Sequence, residues 1–164
     1  MLQTGSYILY GSHGICKILD LEVRLVGKKK VEYYVLEPVE QSDSRYYVPS
    51  QTAATKLRPM ITKEELRSIL HSGMIYCEKW IQDENARKQY YRDLLSSGDR
   101  AALMRMVHTM YEHKEQQQAS GRKVHICDEN FLRDARKVLD NEFSLVLGLP
   151  QGDVAQYIQN ELNI

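Results

Sequence analysis

The spacing of apolar residues changes near Met60, and this change limits the possible folds more than any other feature of the chain. Before Met60, apolar and polar residues alternate over short runs such as residues 20–26, which is the period of a half-exposed β-strand. After Met60, apolar residues recur every three or four positions, which is the period of an amphipathic helix. The 164 residues therefore predict an α+β chain with one domain over residues 1–58 and a second over residues 61–164.

The first domain begins with two short apolar runs that meet at a Gly-x-x-Gly corner, Gly11 to Gly14. Glycine adopts backbone conformations that side chains resist, so this corner predicts a sharply bent strand. A phosphate-binding loop is the alternative, but the Lys-Ser/Thr pair and the helix start that it requires are both missing after Gly14. Further strands are predicted over residues 20–26, 31–36 and 45–48, separated by hairpin-like turns. Four or five short strands of this kind predict a small antiparallel β-barrel.

The second domain begins with a capping box, in which the Thr62 and Glu65 side chains each accept a hydrogen bond from the other's backbone. From this point we predict an all-α domain of about five helices. They are expected after Thr62, from Cys77 to Leu95, after Asp99, after Asp128 and after Gly152.

Composition limits the partners of the chain. Basic and acidic side chains are equal in number, 22 each, so no net charge attracts the chain to nucleic acid or to an anionic membrane. Three widely spaced cysteines favour a reducing compartment over a disulfide framework. The sequence shows no N-terminal signal pattern and no apolar run of about 18 residues, so we expect a cytoplasmic protein without a membrane partner.

The chemistry-bearing residues do not form a catalytic pattern. His13, Cys16, Cys77, His125 and Cys127 lack the paired C-x-x-C or H-x-x-x-H spacing of a zinc site. No stretch brings an acid, a base and an oxyanion site together. We therefore expect no metal, no cofactor, no small-molecule substrate and no enzymatic activity.

Two short strands carry candidate recognition residues. Arg24, Leu25 and Val26 lie near a barrel edge, and Arg45 precedes Tyr46 and Tyr47 on another strand. Such an edge can accept a partner strand through backbone hydrogen bonds, while alternate side chains give selectivity. One of the two tyrosines is expected to face the core instead.

Trp80 is the only tryptophan, and it precedes the basic residues Arg87, Lys88 and Arg92 in the predicted helix from Cys77. An apolar ring beside guanidinium groups is what a minor-groove wedge requires, because the ring disturbs base stacking while the cations hold phosphates. The alternative is that Trp80 packs in the core of the helical domain.

An ordered set of motifs extends over residues 1–147. It comprises Gly5, Tyr10-x-x-His13-Gly14, Tyr33-Tyr34-Val35-Leu36, Val48-Pro49, Leu57-Arg58-Pro59, Leu95-x-Ser97-Gly98-Asp99 and Ala135-Arg136-Lys137-Val138-Leu139. In this order the motifs resemble the CarD/CdnL-like transcription regulators, whose N-terminal module also occurs in transcription-repair coupling factors. Residues 150–164 have no counterpart in that resemblance.

The resemblance implies a Tudor-like barrel that binds the β subunit of bacterial RNA polymerase. It also implies a helical domain that contacts promoter DNA at the upstream edge of the melted bubble and so modulates open-complex stability. The implied polymerase-binding positions are Arg24, Leu25, Val26 and Tyr47. Members of the family often carry a basic residue at the position of Tyr47, and Arg45, two residues earlier on the same strand face, is the expected substitute.

The resemblance also implies a set of DNA contacts, which we expect to be weak without polymerase. Relatives often have the tryptophan closer to the Ser-Gly-Asp turn, so Trp80 is displaced by about one helical turn. The DNA-binding candidates are Trp80, Arg87, Lys88, Arg92, Arg122, Lys123, Arg133 and Arg136. A protein–protein adaptor without DNA contact is the main alternative function, and an uncharacterised hydrolase or metal enzyme is the third.

Overall fold

The computed structural model describes residues 2–73 and 78–162. The chain divides into two compact units, Met1–Met60 and Ile61–Ile164. Cys77 lies outside the described residues, and so does the predicted helix start at that position.

The first unit is a five-stranded antiparallel sheet with the strand order β4-β3-β2-β1-β5. One helix, α1, lies between the last two strands in sequence. The elements are β1 (Tyr7–Tyr10), β2 (Ile15–Val26), β3 (Lys29–Pro38), β4 (Tyr46–Pro49), α1 (Ser50–Lys56) and β5 (Leu57–Pro59).

The predicted corner joins β1 to β2 through a single 3-10 turn, Gly11–His13. Gly11 and Gly14 have φ angles of 45° and 76°, in the left-handed region that side chains disfavour. The Tyr10 amide donates to the Gly14 carbonyl at 2.9 Å and closes the turn. The glycine spacing therefore marks a tight turn between two antiparallel strands, whereas a bend within one strand was predicted.

The sheet is open in the described part of the chain. β4 pairs only with β3 and β5 pairs only with β1, so no hydrogen-bonded ladder joins the two ends. The α+β class is confirmed, whereas the closed Tudor-like barrel is not. A physical reason lies in α1, a helix that the sequence analysis did not predict. It packs against β3, β4 and β5, and its Ala53 is buried with Ile18, Leu36 and Val48.

The second unit contains five helices within its described residues, the number expected from the sequence. The capping box between Thr62 and Glu65 is present, as is the predicted cap at Asp99, which accepts a hydrogen bond from Ala102. The helices are α2 (Lys63–His71), α3 (Glu84–Ser97), α4 (Arg100–Ala119), α5 (Ile126–Leu147) and α6 (Gln151–Leu162).

Two predicted helix starts are wrong. α3 begins at Glu84, because the Asp83 carboxylate accepts a hydrogen bond from the Ala86 amide at 2.7 Å and caps the helix there. Trp80 therefore precedes α3 and does not share its helical face. α5 begins before Asp128, which is a buried residue rather than the cap.

The core of the second unit lies where α4 packs on α5. α3 packs against both of these helices, and α6 packs on α5 and α2. The fully buried side chains include Leu66, Leu70, Leu103, Met106, Phe143 and Val154. Among the helices described, none combines the length and the apolar character needed to cross a membrane.

Candidate functional site

The outer halves of β2 and β3 extend beyond the rest of the sheet. Pairing of β2 with β1 ends at Lys17, whereas its pairing with β3 continues to Val26. Pairing of β3 with β4 covers only Tyr33 to Leu36. Residues 23–32 thus form a two-stranded ribbon, and within the described pairings neither of its outer edges has a third strand. Such edges present backbone donors and acceptors to a partner.

The ribbon also carries exposed apolar side chains. Val23, Leu25 and Val26 are 61%, 72% and 54% exposed. Because side chains alternate along a strand, Val23 and Leu25 project from one face, while Arg24 and Val26 project from the other. A cluster of exposed apolar side chains beside unpaired backbone is typical of a protein-binding surface.

Arg24 and Tyr47 meet although their strands are not neighbours. Asp20 lies opposite Val35, and Val35 lies opposite Tyr47, so Tyr47 shares the face of Arg24. The Arg24 guanidinium carbon lies 3.8 Å from the centroid of the Tyr47 ring. Its Nη2 atom also lies 2.8 Å from Glu22, and hydrogen bonding to this carboxylate raises the pKa of Arg24. The structure thus brings together two of the predicted polymerase-binding residues.

Arg45 is placed differently from the prediction. β4 begins at Tyr46, so Arg45 lies directly before the strand rather than within it. Its Nη1 atom lies 2.7 Å from Glu37 and donates to the Ser42 carbonyl at 2.8 Å. Arg45 is therefore held by Glu37 and by the turn before β4, and the cation in contact with the Tyr47 ring is Arg24 of β2.

Tyr46 belongs to an aromatic cluster that the sequence analysis missed. The ring centroids of Tyr10 and His13 lie 4.7 Å apart. The Tyr46 centroid lies 5.7 Å from that of Tyr10 and 4.5 Å from that of His13. Tyr46 also packs against the core of the first unit, as expected for one of the two tyrosines. The Tyr10-x-x-His13 spacing is the sequence feature that could have indicated this cluster. The three rings connect the glycine corner to β4.

Trp80 is packed within the second unit. Its ring stacks on His113 with centroids 3.6 Å apart, and the Arg87 guanidinium carbon lies 4.5 Å from the Trp80 ring. Arg87 is 3% exposed and makes two hydrogen bonds to Asp128, both 2.9 Å. It also donates to the Ile81 carbonyl at 2.8 Å, which fixes the segment before α3. This arrangement favours the core interpretation of Trp80.

Electrostatics supports the same interpretation. Burial opposes the charge on Arg87, but the hydrogen bonds and the negative charge of Asp128 outweigh it and raise the pKa of Arg87. Burial lowers the pKa of His113, which favours a neutral ring against Trp80. Arg87 is thus a buried structural cation and is not accessible to a DNA phosphate in this structure.

Four cations line a shallow groove of about 410 Å³ between α4 and α5. Arg133 and Arg136 were expected from the sequence, and Lys114 and Lys137 join them. The latter two were missed, although Lys137 follows Arg136 directly. We call this surface the basic groove.

The remaining basic candidates are dispersed. Arg92, Arg122 and Lys123 are exposed, and Lys88 forms an ion pair with Glu84 one turn earlier. Arg133 lies 3.4 Å from Asp134.

A second buried ion pair was also missed. The Arg100 Nη2 atom lies 2.9 Å from Glu142, which is 1% exposed and accepts a hydrogen bond from the Ile61 amide at 2.7 Å. These contacts join the start of α4, the C-terminal third of α5 and the first residue of the unit. Their role is structural.

Within the described residues, no group of three or more histidine, cysteine or acidic side chains is placed to hold a metal ion. Cys16 is buried, and burial raises the pKa of its thiol to about 11. Cys127 is half-buried on α5.

Residues 2–61 match the family model described as the CarD-like/TRCF RID domain. The matched segment contains all the strands described above and α1. A comparison with curated proteins finds no match.

Proposed function

We propose that this chain regulates bacterial transcription initiation, because residues 2–61 match the model of the CarD-like/TRCF RID domain, an RNA polymerase-interacting module. In this proposal the first unit binds the polymerase β subunit, and the second unit contacts promoter DNA near the upstream edge of the bubble and modulates open-complex stability. The chain acts in the cytoplasm and catalyses no reaction.

The contact between Arg24 and Tyr47 is the observation that best supports the polymerase interface. It places a cation and an aromatic ring on one face of the sheet, beside the exposed side chain of Val26. Leu25 projects from the opposite face of the same ribbon. A partner strand adding to the β2 edge of the ribbon would contact Arg24 and Val26 on one face and Leu25 on the other, and its backbone would satisfy the unpaired groups.

The test measures binding of the full chain to the polymerase β subunit. Leu25→Glu and Arg24→Glu should each weaken binding by about tenfold or more, because one places a charge in an apolar contact and the other reverses a charge. The matched controls are Val39→Glu, an exposed apolar residue outside the ribbon, and Lys56→Glu at the end of α1. Undiminished binding by both ribbon variants would remove this interface.

The basic groove supports the proposed DNA contact. Its Arg and Lys side chains suit phosphates, which position a protein on DNA without reading sequence. Exposed Arg92, Arg122 and Lys123 and partly exposed Lys88 remain in the proposed set, and Lys114 and Lys137 join it. Arg87 is not proposed as a DNA contact, because it is buried against Asp128. Trp80 is treated as a packing residue in this proposal.

Salt dependence tests the DNA contact. Binding to a forked promoter in the presence of polymerase should weaken with salt, because each phosphate contact releases counterions. Arg133→Gln should reduce the slope of log affinity against log salt by about one, whereas Lys63→Gln on α2 should not. An identical slope for wild type and Arg133→Gln, with polymerase binding intact, would favour the adaptor without DNA contact.

A further inference from the structure

A second groove lies within the second unit and shares Tyr111, Arg136 and Asp140 with the basic groove. α4 packs on α3 and α5, whereas α6 packs on α5 and α2, and a cavity of about 470 Å³ lies between α4 and α6 over α5. Its apolar walls are Met104, Val107, Leu139, Phe143, Ile158 and Leu162. We call it the apolar groove.

Four of the five polar side chains that line the apolar groove lie on α4 and α5, and the fifth, Gln159, lies on α6. Arg136 donates a hydrogen bond to the Tyr111 hydroxyl and lies 3.9 Å from Asp140, and His108 lies one turn from Tyr111 on α4. At 3.9 Å the Arg136–Asp140 contact is a charge interaction and too long for a hydrogen bond. A guanidinium carries five N–H donors, so Arg136 has the capacity to bind a further oxygen ligand.

We propose that the apolar groove binds a small amphipathic ligand, an aliphatic chain that ends in a carboxylate. The chain would lie against the apolar walls, and the carboxylate would accept hydrogen bonds from Arg136. A groove with apolar walls and one cluster of polar groups fits a ligand with a head and a tail.

The size of the groove suits this ligand. Ligand sites in proteins commonly enclose about 300–1,000 Å³, have mostly apolar walls and contain a few convergent polar groups. Asp140 is the acidic side chain at the site, and burial raises its pKa even though the positive charge of Arg136 acts in the opposite direction. The proposal concerns residues of the second unit and does not depend on polymerase binding.

The first experiment uses calorimetric titration of the full chain with dodecanoate below its micelle concentration. Ala155 is exposed on α6 and lines the groove, so Ala155→Trp should fill it and weaken binding by about tenfold. Gln156→Trp places the same ring on the next position of the helix, outside the lining, and should bind as wild type does. Absence of saturable binding, or equal binding by both variants, would overturn the proposal.

The second experiment tests the carboxylate. Arg136→Gln should weaken dodecanoate binding by about tenfold, and Arg133→Gln, on the same helix outside this groove, should not. Asp140→Asn should strengthen binding because it removes a like charge. Dodecan-1-ol should bind wild type and Arg136→Gln equally. If Arg136→Gln binds dodecanoate as tightly as wild type does, the carboxylate assignment is wrong.

A measurement on the unmodified chain locates the ligand without any variant. Met104 lines the groove and is 8% exposed, so its methyl NMR signal should shift on saturation with dodecanoate. Met60, the last residue of the first unit, is the internal control and should not shift. A bound ligand that leaves the Met104 signal unchanged would place the site elsewhere.

Discussion

Arg87 and Asp128 form an ion pair with two hydrogen bonds in the interior of the second unit, Nε to Oδ1 and Nη2 to Oδ2, both 2.9 Å. Both side chains are 4% exposed. The same guanidinium holds the Ile81 carbonyl and faces the Trp80 ring. One buried charge pair thus joins α3 to α5 and positions the segment that carries the tryptophan.

Asp128→Ala should lower the free energy of unfolding by about 3–5 kcal/mol, because it leaves the Arg87 charge buried without a partner. Glu129→Ala is the matched control, since Glu129 is the exposed neighbour and its contact with Lys114 is 3.9 Å long. Urea denaturation measures both variants. The double variant Arg87→Met/Asp128→Leu should recover much of the loss, and equal stability of the two alanine variants would contradict this account.

Trp80→Ala should lower the free energy of unfolding by about 2 kcal/mol, because it removes the stack on His113 and the contact with Arg87. Leu145→Ala removes an apolar side chain from a 39%-exposed position on α5 and should have a much smaller effect. Thermal or urea unfolding gives the comparison. If Trp80→Ala is as stable as wild type, the ring contributes little to packing and the minor-groove wedge regains support.

Local features of the fold were predictable because their partners are close in sequence. The Thr62 and Glu65 capping box spans three residues, and so does the bond from the Ala102 amide to Asp99. The Gly11 and Gly14 corner depends only on backbone conformations that glycine tolerates. Each of these features is determined by residues no more than three positions apart, so the local sequence is enough to predict it.

Features that depend on long-range contacts were not predictable. Arg87 lies 41 residues from Asp128 in sequence. No local pattern around Arg87 shows that its side chain is buried against this distant carboxylate. The helix start was misplaced for the same reason, since Trp80 packs on His113 and not along α3. The contact of Arg24 with Tyr47 likewise depends on the register of three strands.

Lowering the pH should destabilise the start of α2, because it protonates the Glu65 carboxylate of the capping box. Hydrogen bonds from the Thr62 backbone and side chain lower the pKa of Glu65 below its ordinary value of 4.5. The stability from this contact is therefore fully present above pH 4.5 and is lost as the pH falls through the folded-state pKa. Glu65→Gln keeps a side-chain acceptor that does not titrate, so its unfolding free energy should decline less steeply with acid than that of wild type.

Glu64→Gln is the control for this measurement, because it removes a neighbouring exposed carboxylate and leaves the capping box intact. The measurement is urea unfolding at several pH values between about 3 and 6. Identical acid dependence of Glu65→Gln and wild type would show that the capping box does not couple to protonation.

The two described cysteines should differ sharply in thiol reactivity. Cys16 is fully buried, and its pKa of about 11 leaves only about one thiol in a thousand ionised at pH 8, even before access is considered. Cys127 is half-buried on α5. In a Cys77→Ser background, a thiol-specific chromogenic reagent should therefore modify one group rapidly and the second only after denaturant is added. Adding Cys127→Ser should abolish the rapid phase, and a rapid phase that persists would show that the strands around Cys16 open readily in the native state.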